Sequence, residues 1–165
     1  MCVQYWPAQV GLTDTYTTVK VELMREEQLA NFIIRTFKIY KLGQQQECRE
    51  VVQFHYTEWA SHSNPFSISL LEFRRRIKIW TKNNLSPADG PTIVHCSDGA
   101  GRSGVYLAVD ANLELNEEDG QFNIYGYLKK MRQARKELIE KLEVQVCLRH
   151  FARVLGKRSV LLPRE

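Results

Sequence analysis

The stretch that most restricts what this chain can fold into is IVHCSDGAGRSGVYLAVD, residues 93–110. A short apolar run, Thr92 to His95, reads as a buried strand. It passes through Cys96 into the loop Ser97-Asp98-Gly99-Ala100-Gly101, and from Arg102 onward the pattern becomes that of an amphipathic helix. A tight loop between a strand and a helix start aims successive backbone N–H groups into one concavity, and the positive end of the helix adds to the field. Glycines at 99 and 101 permit the turns. Arg102 is suited to a planar two-pronged grip on a tetrahedral oxyanion. The same field favours a thiolate at Cys96, the form that nucleophilic attack requires. Ser103 is within reach of that sulfur, and His95 is a candidate for orienting the loop. A lone cysteine after a strand is ordinarily a small core residue. The combination H-C-x5-R-S-G at such a junction is far more specific, and it points to an anion cradle.

The rest of the chain frames that junction. Residues 17–25, 32–41 and 49–58 alternate polar and apolar positions as half-buried strands do, the last two flanking the polar turn LGQQQE. Three strands at this spacing predict an antiparallel meander. Leu70, Phe73, Ile77 and Trp80 then recur at helical intervals, with Arg74, Arg75 and Arg76 between them as a solvated face. Pro87, Gly90 and Pro91 break this helix before Thr92. Further helices are predicted over about 102–115, 123–136 and 140–155, the last ending at Gly156. The fold class is therefore α/β or α+β, a sheet followed by helices.

Composition narrows the class without deciding the function. The 165 residues suffice for one domain with a real core. A net charge of +4 suits acidic or phosphorylated partners, but the basic residues are scattered and carry no nucleic-acid fingerprint. No apolar run is long enough to span a bilayer, so no transmembrane segment is expected. Cys2, Cys48, Cys96 and Cys147 are too far apart for a CxxC pair or a zinc site. Neither a metal nor another cofactor is expected, and a reduced, cytoplasmic setting fits best.

From these residues the chain resembles the tyrosine-specific protein phosphatases, especially the domains of receptor type. IVHCSDGAGRSG matches that family's signature H-C-S-x-G-x-G-R-[ST]-G. YWP at 5–7 resembles the end of its K-C-x-x-Y-W-P segment, FHYTEW at 54–59 the strand leading into its acid loop, and KKMRQAR at 129–135 a late helix. The resemblance implies the cysteine-phosphatase fold, a twisted mixed sheet with helices following the phosphate-binding loop. It also implies a metal-free reaction through a cysteinyl-phosphate. By the same resemblance Cys96 is the nucleophile, Arg102 the phosphate ligand, and Ser103 the hydroxyl that assists the leaving thiolate. Ser97, Asp98, Gly99, Ala100 and Gly101 form the cradle.

Four departures from the family pattern bear on activity. The family's W-P-D-H-G appears here as Trp59-Ala60-Ser61-His62-Ser63, so a serine stands at the acid position. Its hydroxyl is far too weak an acid for work typically worth about 10²–10⁴-fold. Asp98 stands in the cradle where active members carry a small neutral residue. Turned inward, its carboxylate repels a phosphate dianion and opposes the Cys96 thiolate; turned outward, it only trims the field. Some receptor-type second domains of little or no activity share this H-C-S-D-G form. The water-positioning glutamine of the family is expected at Val144, whereas Gln145 lies one residue on, roughly 100° around a helix. Finally, the family's opening third has no counterpart before Met1, which reads as a truncation.

The expectation is thus a partial tyrosine-phosphatase domain over residues 1–156 with a divergent basic tail over 157–165. Its leading function is that of a weak or inactive homologue, typical of the membrane-distal domain of a receptor. Such a domain binds phosphotyrosine proteins or regulates a neighbouring phosphatase domain in a longer chain. The alternatives are an active phosphotyrosine hydrolase and a redox-sensitive interaction module.

Overall fold

The computed structural model describes residues 3–59 and 68–139. The expected positions Ser61 and Gln145, the helix predicted over 140–155 and the tail all lie outside the described residues. Those described divide into two compact units: residues 3–59 with 68–84, and residues 85–139.

The first unit is an antiparallel sheet with one helix. Strands β1 (Thr13–Tyr16), β2 (Val19–Gln28), β3 (Phe32–Lys41) and β4 (Arg49–Tyr56) lie in sequence order, each hydrogen-bonded to the next. β3 has the bounds its alternation predicts. The strand expected at 17–25 is β2, which begins at Val19 and runs on to Gln28; ahead of it Thr17 takes φ +54 in a two-residue turn, and β1 pairs back from Tyr16 on Val19. Asn-Gly is the usual signature of such a turn, and Thr-Thr does not carry it, so β1 was not foreseen. A register shift between Leu23 and Arg25 bulges β2 at Met24.

Pairing of Phe32 with Tyr56 and of Ile34 with Phe54 places an aromatic row on one face of β3 and β4. Helix α1 (Ile68–Asn84) covers it. Phe73 packs on Phe32 and Tyr56 with ring centres 5.4 and 5.2 Å apart, Trp80 meets Phe54, and Tyr56 shares a 2.7 Å hydrogen bond with Ser69. The opposite face carries Arg35, buried to 6% exposure. Its guanidinium donates to Glu26 at 2.5 Å and Gln53 at 3.0 Å, lies 3.0 Å from His55 Nδ1, and stacks over Trp6 at 4.7 Å. A buried charge survives only with such partners, and here they fasten the Tyr5-Trp6-Pro7 segment to the sheet. The solvated face expected for the three arginines of α1 holds for Arg75 and Arg76, but Arg74 is buried.

In the second unit a 3₁₀ turn (Pro87–Asp89) leads to residues 91–96, which belong to no helix or strand, then α2 (Gly101–Asp119) and α3 (Ile124–Ala134). Residues 92–95 correct an expectation: they pair with no strand among the described residues, and Ile93 is 85% exposed. A parallel partner would be needed to make the sheet mixed; the sheet described is wholly antiparallel. An apolar run records a preference for burial, not the identity of its neighbour. The α/β class itself stands. Helix α3 stops at Ala134, short of 136, because Arg135 is extended (φ −147, ψ 109).

Candidate functional site

The loop between Cys96 and α2 closes on itself. Gly99 sits at φ +67, the left-handed region that a side chain disfavours, and this reversal turns the following amides back on the loop. Ala100 N–H and Gly101 N–H converge on a single point, as the sequence predicts for a cradle. What stands at that point is Asp98 Oδ1, 2.8 Å from Ala100 N and 3.0 Å from Gly101 N. The Cys96 thiol donates to the same oxygen at 3.0 Å. Of the two orientations open to Asp98, the inward one is realised.

These bonds explain the electrostatics. The Ala100 amide first, then the Cys96 thiol and the Gly101 amide, hold the Asp98 carboxyl well below the usual carboxylate range; the small desolvation penalty does not offset them. The carboxylate is therefore ionised throughout the physiological range. An anion already occupies the concavity, and it belongs to the loop.

The remaining predicted residues gather around the sulfur. Ser103 is buried, its Oγ 3.3 Å from Cys96 Sγ, and its own N–H points at the sulfur from 3.5 Å. Arg102 Nη2 donates to Ser97 Oγ at 3.0 Å, spanning the loop. His95 is exposed, just before Cys96. Cys96, Ser97, Asp98, Gly99, Ala100, Gly101, Arg102 and Ser103 thus form one constellation. Among the described residues, no group of three or more His, Cys, Asp or Glu side chains could hold a metal ion.

One participant was not foreseen. Arg135, just past α3, donates from Nη2 to the carbonyl of Asp98 at 3.1 Å. Its guanidinium also lies against Gly99, where an added Cβ would meet Nη1 at 3.0 Å. The KKMRQAR helix was recognised as family-like, but nothing local tells which of its charges reaches a loop 37 residues away.

The family model described as protein-tyrosine phosphatase matches residues 1–152. The chain belongs to that family. It is 39% identical over 140 residues to receptor-type tyrosine-protein phosphatase S of Gallus gallus, covering 84% of this chain and 9% of that protein. It is 38% and 36% identical to receptor-type tyrosine-protein phosphatase F of Bos taurus and of Danio rerio, over 84% of this chain and 7% of each relative. The chain therefore spans less than a tenth of the length of these curated relatives. It is a tyrosine-phosphatase domain homologous to those of receptor type, and among its described residues no helix is long and apolar enough to cross a membrane.

Proposed function

We propose that this chain is a phosphatase domain of weak or silent activity, spanning residues 1–156 with a basic tail over 157–165, that works by binding. In this reading its partner is a neighbouring phosphatase domain that it regulates, on the cytoplasmic side, where thiols stay reduced; capture of a phosphotyrosine protein would require Asp98 to leave the amides first. The observation that carries the reading is the Asp98 carboxylate held by the Ala100 and Gly101 amides and the Cys96 thiol. A phosphoryl group needs those amides for its own oxygens. It must displace a bound carboxylate to reach them, and it meets that negative charge on the way in. A Cys96 thiolate would likewise face a carboxylate 3.0 Å away. Ser61, in place of an acid, adds an independent reason for slow turnover.

The retained chemistry favours a residual hydrolase as the second reading. Ser103 Oγ lies 3.3 Å from the sulfur, where a hydroxyl would stabilise a departing thiolate. In that reaction Cys96 Sγ attacks phosphorus and the tyrosine oxygen leaves, taking up a proton. Water then attacks the cysteinyl-phosphate, releasing inorganic phosphate and the Cys96 thiolate.

Anion binding tests the proposal. Vanadate or tungstate at millimolar concentration is expected to raise the Tm of wild type little and that of Asp98→Ala clearly, as ligand linkage requires. Arg102→Ala in the same background should abolish the gain. A wild-type shift as large as that of Asp98→Ala would refute self-occupation of the cradle.

A further inference from the structure

Two arginines three residues apart at the end of α3 both hold backbone carbonyls. Arg132 donates from Nε to the carbonyl of Leu138 at 3.1 Å and from Nη2 to that of Ile139 at 2.6 Å. Arg135 donates to the carbonyl of Asp98. The first pair stays within one stretch of chain; the second reaches the candidate site.

A trans peptide is planar, so the C=O of Asp98 and the N–H of Gly99 point in opposite directions. A guanidinium that grips the carbonyl therefore fixes where the Gly99 amide is aimed: away from Arg135. The peptide before a glycine is free to rotate with little steric penalty, because glycine admits both signs of φ. Nothing within that peptide selects the orientation in which Gly99 sits at φ +67. In the native loop the Asp98 carboxylate also holds this turn through the Ala100 and Gly101 amides; in Asp98→Ala those bonds are gone and the grip of Arg135 on the carbonyl remains, its guanidinium so close to Gly99 that a Cβ would touch it.

We propose that Arg135 is a positioning residue of the anion cradle, one that sets the Asp98–Gly99 peptide so that the Gly99 N–H joins those of Ala100 and Gly101. The inference rests on the reading of residues 96–102 as a cradle. Arg135 acts through a carbonyl and touches no substrate; its effect is on the direction of a donor.

The test uses the full chain carrying Asp98→Ala, with tungstate as the probe. Affinity is measured by calorimetry, and the Gly99 amide is followed by ¹⁵N–¹H NMR. Adding Arg135→Met is expected to weaken tungstate binding about tenfold, the usual scale of one hydrogen bond to a charged group. It should also erase the tungstate-induced shift of the Gly99 amide. Arg135→Gln, which keeps an N–H donor without the charge, should recover much of both. Unchanged affinity in Arg135→Met would overturn the proposal. So would a Gln variant as weak as Met beside a fully active Arg135→Lys, since that pattern marks a distant charge and no directed bond. If the Met variant fails to fold, the comparison of Gln with Lys decides alone. If Asp98→Ala with Arg135 intact binds no tungstate, the cradle reading itself falls, and this inference with it. An effect absent only on changing Arg135 leaves the cradle reading standing.

Discussion

At Asp98 three donors meet one oxygen, and that has a consequence in pH. The group is ionised more readily in the folded chain than in the unfolded one, so its contribution to stability is complete above the ordinary carboxylate value of about 3.9. It is lost as pH falls below that value toward the lowered one. The Tm difference between wild type and Asp98→Ala should therefore be flat from pH 7 to 5 and narrow only at more acid pH. A difference that already narrows between pH 6 and 5 would mean the carboxylate is not held by the amides. The sequence poses both orientations of this side chain and cannot choose between them. The choice depends on the left-handed turn at Gly99 and on amides that exist as donors only once the loop is closed. Cys96, Ser103 and Arg102 were legible because an eight-residue local motif brings them together. Arg135 was not, because its partner is remote in sequence.

Among the elements, the contact between α2 and the turn after α3 shows how a sequence rule can be overruled by packing. Gly104 lies within α2, where Ala would be favoured by about 1 kcal/mol on helix propensity. A Cβ there would stand 2.8 Å from Ile139 Cγ1 and 2.9 Å from Leu138 Cδ2. Neither can retreat easily. Both are buried, Arg132 holds their carbonyls, and Ile139 is already in the left-handed region at φ +59. Overpacking of this kind costs about 1–3 kcal/mol, so the clash should match or exceed the helix gain. Gly104→Ala is expected to lower stability in chemical denaturation, with Gly104→Val lower still. A stabilised Ala variant would mean the turn does not pack on α2. The strand β3 was readable to the residue because its alternation persists between two hydrogen-bonded neighbours. The run at 92–95 misled because apolarity alone does not specify a pairing partner, and the Thr17 turn was missed because threonine is an unusual residue there.

Across the chain as a whole, the two parts that the proposed reading assigns to a phosphatase reaction fall on different stretches. The cradle, with Cys96 and Arg102, lies in the unit of residues 85–139, whereas the family's acid position falls at Ser61, after β4. Anion binding is then a property of the cradle alone, while turnover requires both. The family and fold class were legible from motifs spread along the chain; the combined effect of the two departures is a question for kinetics. Ser61→Asp should leave the tungstate affinity of the Asp98→Ala protein unchanged and raise its turnover on a phosphotyrosine peptide by at most about 10²–10⁴-fold. It should do little for an activated aryl phosphate, whose leaving group needs no proton. Asp98→Ala alone should improve both substrates, because it clears the amides and removes the charge beside the sulfur. The double variant should exceed either single one on phosphotyrosine and only match Asp98→Ala on the activated ester, with Cys96→Ser silencing all of them. Brisk wild-type hydrolysis of the phosphotyrosine peptide, abolished by Cys96→Ser and unmoved by Ser61→Asp, would instead mean that another residue delivers the proton and that Asp98 yields to substrate.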